Sequence, residues 1–243
     1  MSLTEQRRAI RPLLDPHQPG DAMDDYFAFH HSDARTTLVI HPEEARVAMG
    51  YVALSRTGMD LFRPLVTLRL PPLDMDAGVD LIYRALVPGT AVYLSTSEES
   101  FPLIQALFEI QAEEHLHVFA LKMAQFEPLL NVLVAQNQGA NGLPRFVVRS
   151  EAANNEVVAS AHLNWQSPNF GEIAVNVQPR FRRRGWGRSV VAAMVQYLVG
   201  NGRIPLYAVS PENTASIHLA QSLGFHDTGA RTFLAEATLR PHP

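Results

Sequence analysis

Five arginines fall within nine residues, Arg180, Arg182, Arg183, Arg184 and Arg188, and two glycines, Gly185 and Gly187, stand among them. Guanidinium suits phosphate because one group can bind two oxygens at once. Glycine lets a bulky anion approach the backbone closely and lets the chain reach positive φ. Before this segment the run Ile173-Ala-Val-Asn-Val177 alternates; after it Val190, Val191, Met194, Val195 and Leu198 recur at helical spacing. The order is therefore strand, basic loop, helix. The first amides of such a helix lack intrahelical partners and point out of an N-terminus carrying roughly half a positive charge. Those parts make a phosphate site. The glycine spacing is neither the dinucleotide-binding G-x-G-x-x-G nor a P-loop ending in Gly-Lys-Ser/Thr.

Arg182-Arg-Arg-Gly-Trp-Gly187 resembles the R/Q-x-x-G-x-G/A signature of the GNAT superfamily, the acyl-CoA-dependent N-acyltransferases. A second segment is similar too: Asn213-Thr-Ala-Ser-Ile-His-Leu-Ala-Gln-Ser-Leu-Gly-Phe225 follows the family's N-x-x-A/S-x-x-L-Y-x-x-x-G-F helix. The resemblance implies an α+β fold with a mixed sheet. It also implies that acetyl-CoA is the co-substrate, with Arg182, Arg183, Arg184, Gly185, Gly187, Arg188 and Ser189 around its pyrophosphate. Trp186 would stack on the adenine or cover the start of the helix, and covering is favoured. By position, the backbone of Val175 and Val177 would pair with the pantetheine arm, and the Val175 N–H would polarise the thioester carbonyl. Asn213 would cap its helix and, with Ser216 one turn on, face the same groove.

The reaction so implied is direct transfer of an acetyl or other short acyl group to an amine. That needs a base for the ammonium proton and an acid for the leaving thiolate. Here the chain departs from the family, because Ala220 replaces the frequent catalytic tyrosine. Two bases are candidates. Glu172 begins the strand before the loop, one residue later than the usual glutamate, and a bulge would be needed to restore its face. His162 lies on the polar face of its strand with Ser160 and Asn164. A water-mediated route is the third possibility. The alternative reading is a non-catalytic acyl-CoA-binding or interaction module. Nucleic-acid binding through the arginines is disfavoured, since only Phe181 and Trp186 are interleaved for stacking.

The chain of 243 residues is 47% hydrophobic and 18% charged, an ordinary globular composition. It has no cysteine, which excludes disulfide frameworks, zinc ribbons and a thiol nucleophile. No apolar run suits a signal peptide or membrane span, so a cytoplasmic location is expected. Residues 1–140 carry 10 basic and 18 acidic side chains, residues 141–243 carry 10 and 6. The basic part suits a phosphate-bearing ligand, and the acidic part a cationic acceptor. His115 and His117 share a strand face, but no third ligand accompanies them and no metal is expected.

Patterning predicts an arm or short helix over 1–20 and strands at 36–40, 46–55 and 62–70, with a turn at 56–60. A helix over 77–86, a strand over 90–95, a helix over 100–110 and a strand over 115–122 follow. The same order recurs: strands at 144–150, 156–165 and 172–178, the helix after Gly187, a strand near Leu206, the helix at Asn213 and a strand near 231–239. Pro72 and Gly78 stand at the same spacing as Pro179 and Gly185. We therefore expect two tandem GNAT-like halves. Residues 1–127 would form a degenerate or substrate-completing half, with Asp80 at the place of Gly187 and Glu99 at that of Asn213. Residues 128–243 would form the catalytic half. An unrelated α+β substrate domain is the alternative for the first part.

Overall fold

The computed structural model describes every residue except Met59, Leu129, Leu130 and Pro243. Met59, in the turn expected at 56–60, thus lies outside the described residues. The chain forms two compact units: Met1–Leu116 with Arg231–Pro243, and His117–Ala230.

In the first unit, α1 (Leu3–Ile10) opens with a capping box in which the Ser2 side chain accepts from the Glu5 N–H and Glu5 reaches back to the Ser2 backbone. α2 (Ala22–Asp25) runs on into a wider turn, Tyr26–His30. β1 (Thr36–His41), β2 (Gly50–Ser55) and β3 (Leu65–Arg69) form an antiparallel meander. Then come α3 (Met75–Ala85), β4 (Ala91–Thr96) parallel to β3, α4 (Phe101–Leu107) and β5 (Phe108–Leu121). The helix expected over 100–110 stops at Leu107, and β5 is 14 residues long. The cause is that Phe108 and Ile110 alternate with Glu109 and Gln111, a period of two rather than 3.6.

The second unit repeats this order. β6 (Ala135–Gln138), β7 (Pro144–Ser150), β8 (Glu156–Gln166) and β9 (Phe170–Val177) form a meander with one extra strand at its start. α5 (Trp186–Gly200), β10 (Ile204–Val209) parallel to β9, α6 (Thr214–Ser222) and β11 (Phe225–Leu239) follow. Asn154 and Asn155, both at positive φ, make the turn between β7 and β8.

The last strands are exchanged. β4 pairs antiparallel with the far half of β11, Thr96 opposite Phe233 and Ala91 opposite Thr238, whereas β10 pairs with the far half of β5, Leu206 opposite Ala120 and Val209 opposite His117. Each unit's closing strand is thus the one that follows the other half's second helix. Whereas the sequence suggested contiguous parts meeting at 127/128, the compact units divide inside β5 and β11.

In the second unit, Val190, Val191, Met194, Val195 and Leu198 of α5 are fully buried against Ala159, Ala161, Leu163 and Ile173. Each large apolar side chain so buried contributes roughly 1.5–3 kcal/mol, which anchors the helix whose N-terminus carries the arginine loop.

Candidate functional site

β9 is paired on both sides for only part of its length. Its ladder with β8 runs from Gly171 to Val177, but its parallel ladder with β10 ends where Glu172 stands opposite Leu206. Beyond that rung β10 goes on with β5, and residues 173–177 of β9 share no rung with β10; this gap between the two strands is the candidate cleft. The Gln178 N–H donates to the Val158 carbonyl at 2.9 Å. Because hydrogen-bonded pairs alternate in an antiparallel ladder, Ala174 and Asn176 also aim their backbone groups at β8. Val175 and Val177 aim theirs into the cleft. The Val177 carbonyl accepts from Arg182 Nε at 3.3 Å.

The basic loop follows a short 3-10 turn, Pro179–Phe181. Gly185 is the N-cap residue of α5 at φ 75° and offers no side-chain cap, so the amides of the first turn, including Trp186, Gly187 and Arg188, are left for another acceptor. Arg182, Arg183 and Arg184 are exposed, with Arg183 at φ 61°. The Phe181 and Trp186 rings stack at 5.4 Å, and the Arg184 guanidinium lies 5.2 Å from the first ring and 5.3 Å from the second. Trp186, the first residue of α5, thus packs on Phe181 of the loop before it. Arg188 points elsewhere, donating from Nη2 to the Ser222 carbonyl at the end of α6, 3.1 Å away.

Ser189 is fully buried and its donors are spent within the protein. Its N–H bonds the Gly185 carbonyl at 3.0 Å, and its hydroxyl donates to Asn131 Oδ1 at 2.8 Å. Asn131, in the segment between β5 and β6, also donates from Nδ2 to the Arg184 carbonyl at 2.9 Å. Sequence reasoning missed Asn131. It lies in a stretch with no periodicity, and no local signal could have found it.

On the other side of the cleft, Asn213 caps α6 by accepting from the Ser216 N–H at 3.1 Å. The nearby Tyr207 hydroxyl is held above the ordinary phenol pKa by burial. Tyr207 is the first β10 residue past the last shared rung and is 4% exposed. Ala220 is 1% exposed, so the position of the expected tyrosine lies inside the core.

Glu172 and His162 share one face of the sheet. Ala159, Ala161, Leu163 and Ile173 pack with α5, so alternation places Ser160, His162, Glu172 and Ala174 on the opposite face. A bulge is present in β8 at Asn164, between Leu163 and Trp165, and not in β9. It brings two donors to Glu172: Asn164 Nδ2 to Oε1 at 2.6 Å and Trp165 Nε1 to Oε2 at 3.2 Å. Burial raises the Glu172 pKa against those two bonds. His162 stands opposite Ala174 on one side and Arg145 on the other. Burial, and then the Arg145 charge, hold its pKa below the ordinary imidazole value.

In the first unit the register expected from sequence shifts. Asp74 is the N-cap of α3, its carboxylate accepting from the Ala77 N–H at 3.0 Å. Aligned by helix starts, Asp74 stands where Gly185 does and Asp76 where Gly187 does, while Ser100, not Glu99, precedes α4. Gly78 instead lies inside α3, where a Cβ would meet Leu103 Cδ2 at 3.2 Å. His115 and His117 each approach one carboxylate, Glu98 at 4.0 Å and Asp227 at 3.6 Å.

Solved structures match this architecture across the whole chain. A tandem GNAT protein from the clavulanic acid biosynthesis pathway, in its form without AcCoA, aligns over 100% of this chain and 96% of its own, at TM-score 0.60 and 11% identity. This is the GNAT fold, in tandem. A Drosophila protein of the same fold aligns over 96% of this chain and 95% of its own, at TM-score 0.70 and 13% identity. A GCN5-related N-acetyltransferase from Sphaerobacter thermophilus aligns over 91% and 86%, at 0.56 and 16%. Residues 155–234 match the model of the FR47-like protein family, a segment containing the arginine-rich loop and α6. No curated protein matches the chain in sequence. No described helix is long and apolar enough to cross a membrane.

Proposed function

We propose that the second unit binds acetyl-CoA and transfers its acetyl group directly to an amine. The observation that carries this reading is the end of the β9–β10 ladder at Glu172 and Leu206 beside the uncapped, arginine-flanked start of α5. The pyrophosphate lies at the first amides of α5, with Arg182 and Arg183 beside it. The pantetheine arm runs down the cleft against the Val175 and Val177 backbones, with Asn213 and Ser216 facing it. The thioester carbonyl accepts from the Val175 N–H, which stabilises the oxyanion of the tetrahedral intermediate. Neither Arg188 nor the side chain of Ser189 is needed for contact with the cofactor.

For the proton of the attacking ammonium we assign His162. Burial, and then the Arg145 charge, hold its pKa below the ordinary imidazole value, and it lies directly across from Ala174, whose peptide bond carries the Val175 N–H. Both Glu172 oxygens accept bonds that hold the β8 bulge, so Glu172 is the second choice. In the first unit the Asp74 carboxylate takes an amide that an anion would need, and Asp76 adds a like charge, so that half binds no coenzyme A. Its acidic character suits a cationic acceptor.

Calorimetric titration with acetyl-CoA tests the reading. One site per chain is expected. Arg182→Glu with Arg183→Glu should weaken it at least about 100-fold, from two charge-assisted bonds at roughly 1.5 kcal/mol or more each. Unchanged affinity would remove the site assignment. Binding without thiol release against a broad amine panel would favour the non-catalytic module, which the buried Ala220 already suits.

A further inference from the structure

We infer that Asn131 is a positioning residue that presets the phosphate-binding loop, an inference resting on the coenzyme A reading above. Three hydrogen bonds join it to the loop. Asn131 Nδ2 donates to the Arg184 carbonyl at 2.9 Å, its Oδ1 accepts from Ser189 Oγ at 2.8 Å, and its backbone N–H donates to that same oxygen at 3.2 Å. Because Ser189 is fully buried in the first turn of α5, one side chain ties the loop before the helix to the helix itself.

The consequence follows from the geometry of one peptide bond. In a trans peptide the carbonyl and the N–H point in opposite directions. With the Arg184 carbonyl held by Asn131, the Gly185 N–H must point away from Asn131. Gly185 then turns at φ 75°, and its own carbonyl accepts the Ser189 N–H as the first bond of α5. The direction of each amide from Gly185 onward is thereby set before a ligand arrives. Such preorganisation raises affinity by reducing the ordering cost of binding. The fit at Gly185 is close as well: a Cβ there would stand 2.5 Å from Asn131 Nδ2. The need for glycine is therefore shared between the backbone angle and the Asn131 side chain.

If Asn131 acts through the loop, its loss should affect only ligands that carry the pyrophosphate. Titrations of wild type, Asn131→Ala and Ser189→Ala with acetyl-CoA and with S-acetyl-pantetheine separate the cases. The expected result is an approximately tenfold loss of acetyl-CoA affinity in either variant, with S-acetyl-pantetheine affinity unchanged. The double variant should be no weaker than the worse single one, as two members of one network require. Equal acetyl-CoA affinity in wild type and Asn131→Ala would overturn the inference and leave the cofactor reading standing. An equal loss for both ligands would overturn it too, since Asn131 would then only hold the segment in place. No acetyl-CoA binding by wild type would remove the cofactor reading and this inference together.

Discussion

Glu172 and Leu206 form the last rung shared by β9 and β10, and the cleft begins at the next residue of each strand. One side chain at that rung is a carboxylate fastened by Asn164 and Trp165, so the opening is fixed by side-chain bonds as well as by the backbone. Val175 stands opposite Ala161 at a non-hydrogen-bonded rung of the β8 ladder, so its backbone groups face the cleft, and this makes its N–H testable alone.

Val175→Pro removes an N–H that pairs with no neighbouring strand, so the sheet should survive it. Removing one oxyanion donor costs about 10²–10³ in kcat. We expect a loss of that size in acetyl transfer, with the acetyl-CoA Kd changing far less. Equal falls in kcat and affinity, or no fall in kcat, would place the thioester elsewhere.

The acid limb of kcat/KM, compared between two variants, distinguishes the two bases. His162 is held below the ordinary imidazole pKa and Glu172 above the ordinary carboxylate pKa, so with either base activity is lost as pH falls below the imidazole range. His162→Asn should abolish that limb and lower the rate about 10²-fold or more, whereas Glu172→Gln should keep the limb. The reverse pattern would transfer the role to Glu172.

Placing a tyrosine at position 220, as the α6 resemblance suggests, by Ala220→Tyr should fail to speed the reaction. The site is 1% exposed within the core, and overpacking costs typically 1–3 kcal/mol, more for a ring. A lowered melting temperature with no gain in kcat is expected; a gain in kcat would show that the core yields and that a tyrosine there can take part in the reaction.

Asp24 in the first unit gives stability its own pH dependence. Buried beside Arg69, whose Nη2 lies 3.1 Å away, and near Asp21, Asp25 and Tyr51, it has a pKa raised to about 7 by desolvation. In the unfolded chain the group ionises near 3.8, so between about pH 4 and 7 the folded state alone holds the proton. Its contribution is full below pH 4 and is lost as pH rises toward 7, of the order of 4 kcal/mol at most. Denaturant melts across that range should show the decline in wild type and its absence in Asp24→Asn. A wild type and variant with parallel pH profiles would refute the assignment.

The parts legible in sequence were those written locally. The strand, arginine-rich loop and helix order around Gly185 and Gly187 could be read from one run, and the repeated order of strands and helices followed from periodicity. Three features needed the folded chain. The bulge that reaches Glu172 sits in β8 at Asn164, where no residue type marks it. Asn131 acts on a loop more than fifty residues ahead of it. The partners of β4 and β10 follow the other half's second helix, and alternation within a strand cannot name its neighbour.

That exchange of closing strands has a consequence for how the chain is made and inherited. Phe233, Ala235, Ala237 and Leu239 complete the core of the first unit, so the half that leaves the ribosome first is the last to be finished. Until the whole second unit has emerged, β4 has an open edge, the kind of surface on which chains aggregate. A gene cut between the repeats would yield two fragments, each missing a strand. The two halves can therefore diverge in sequence, as the arginine loop before α5 and the Asp74 cap of α3 show, but they cannot separate.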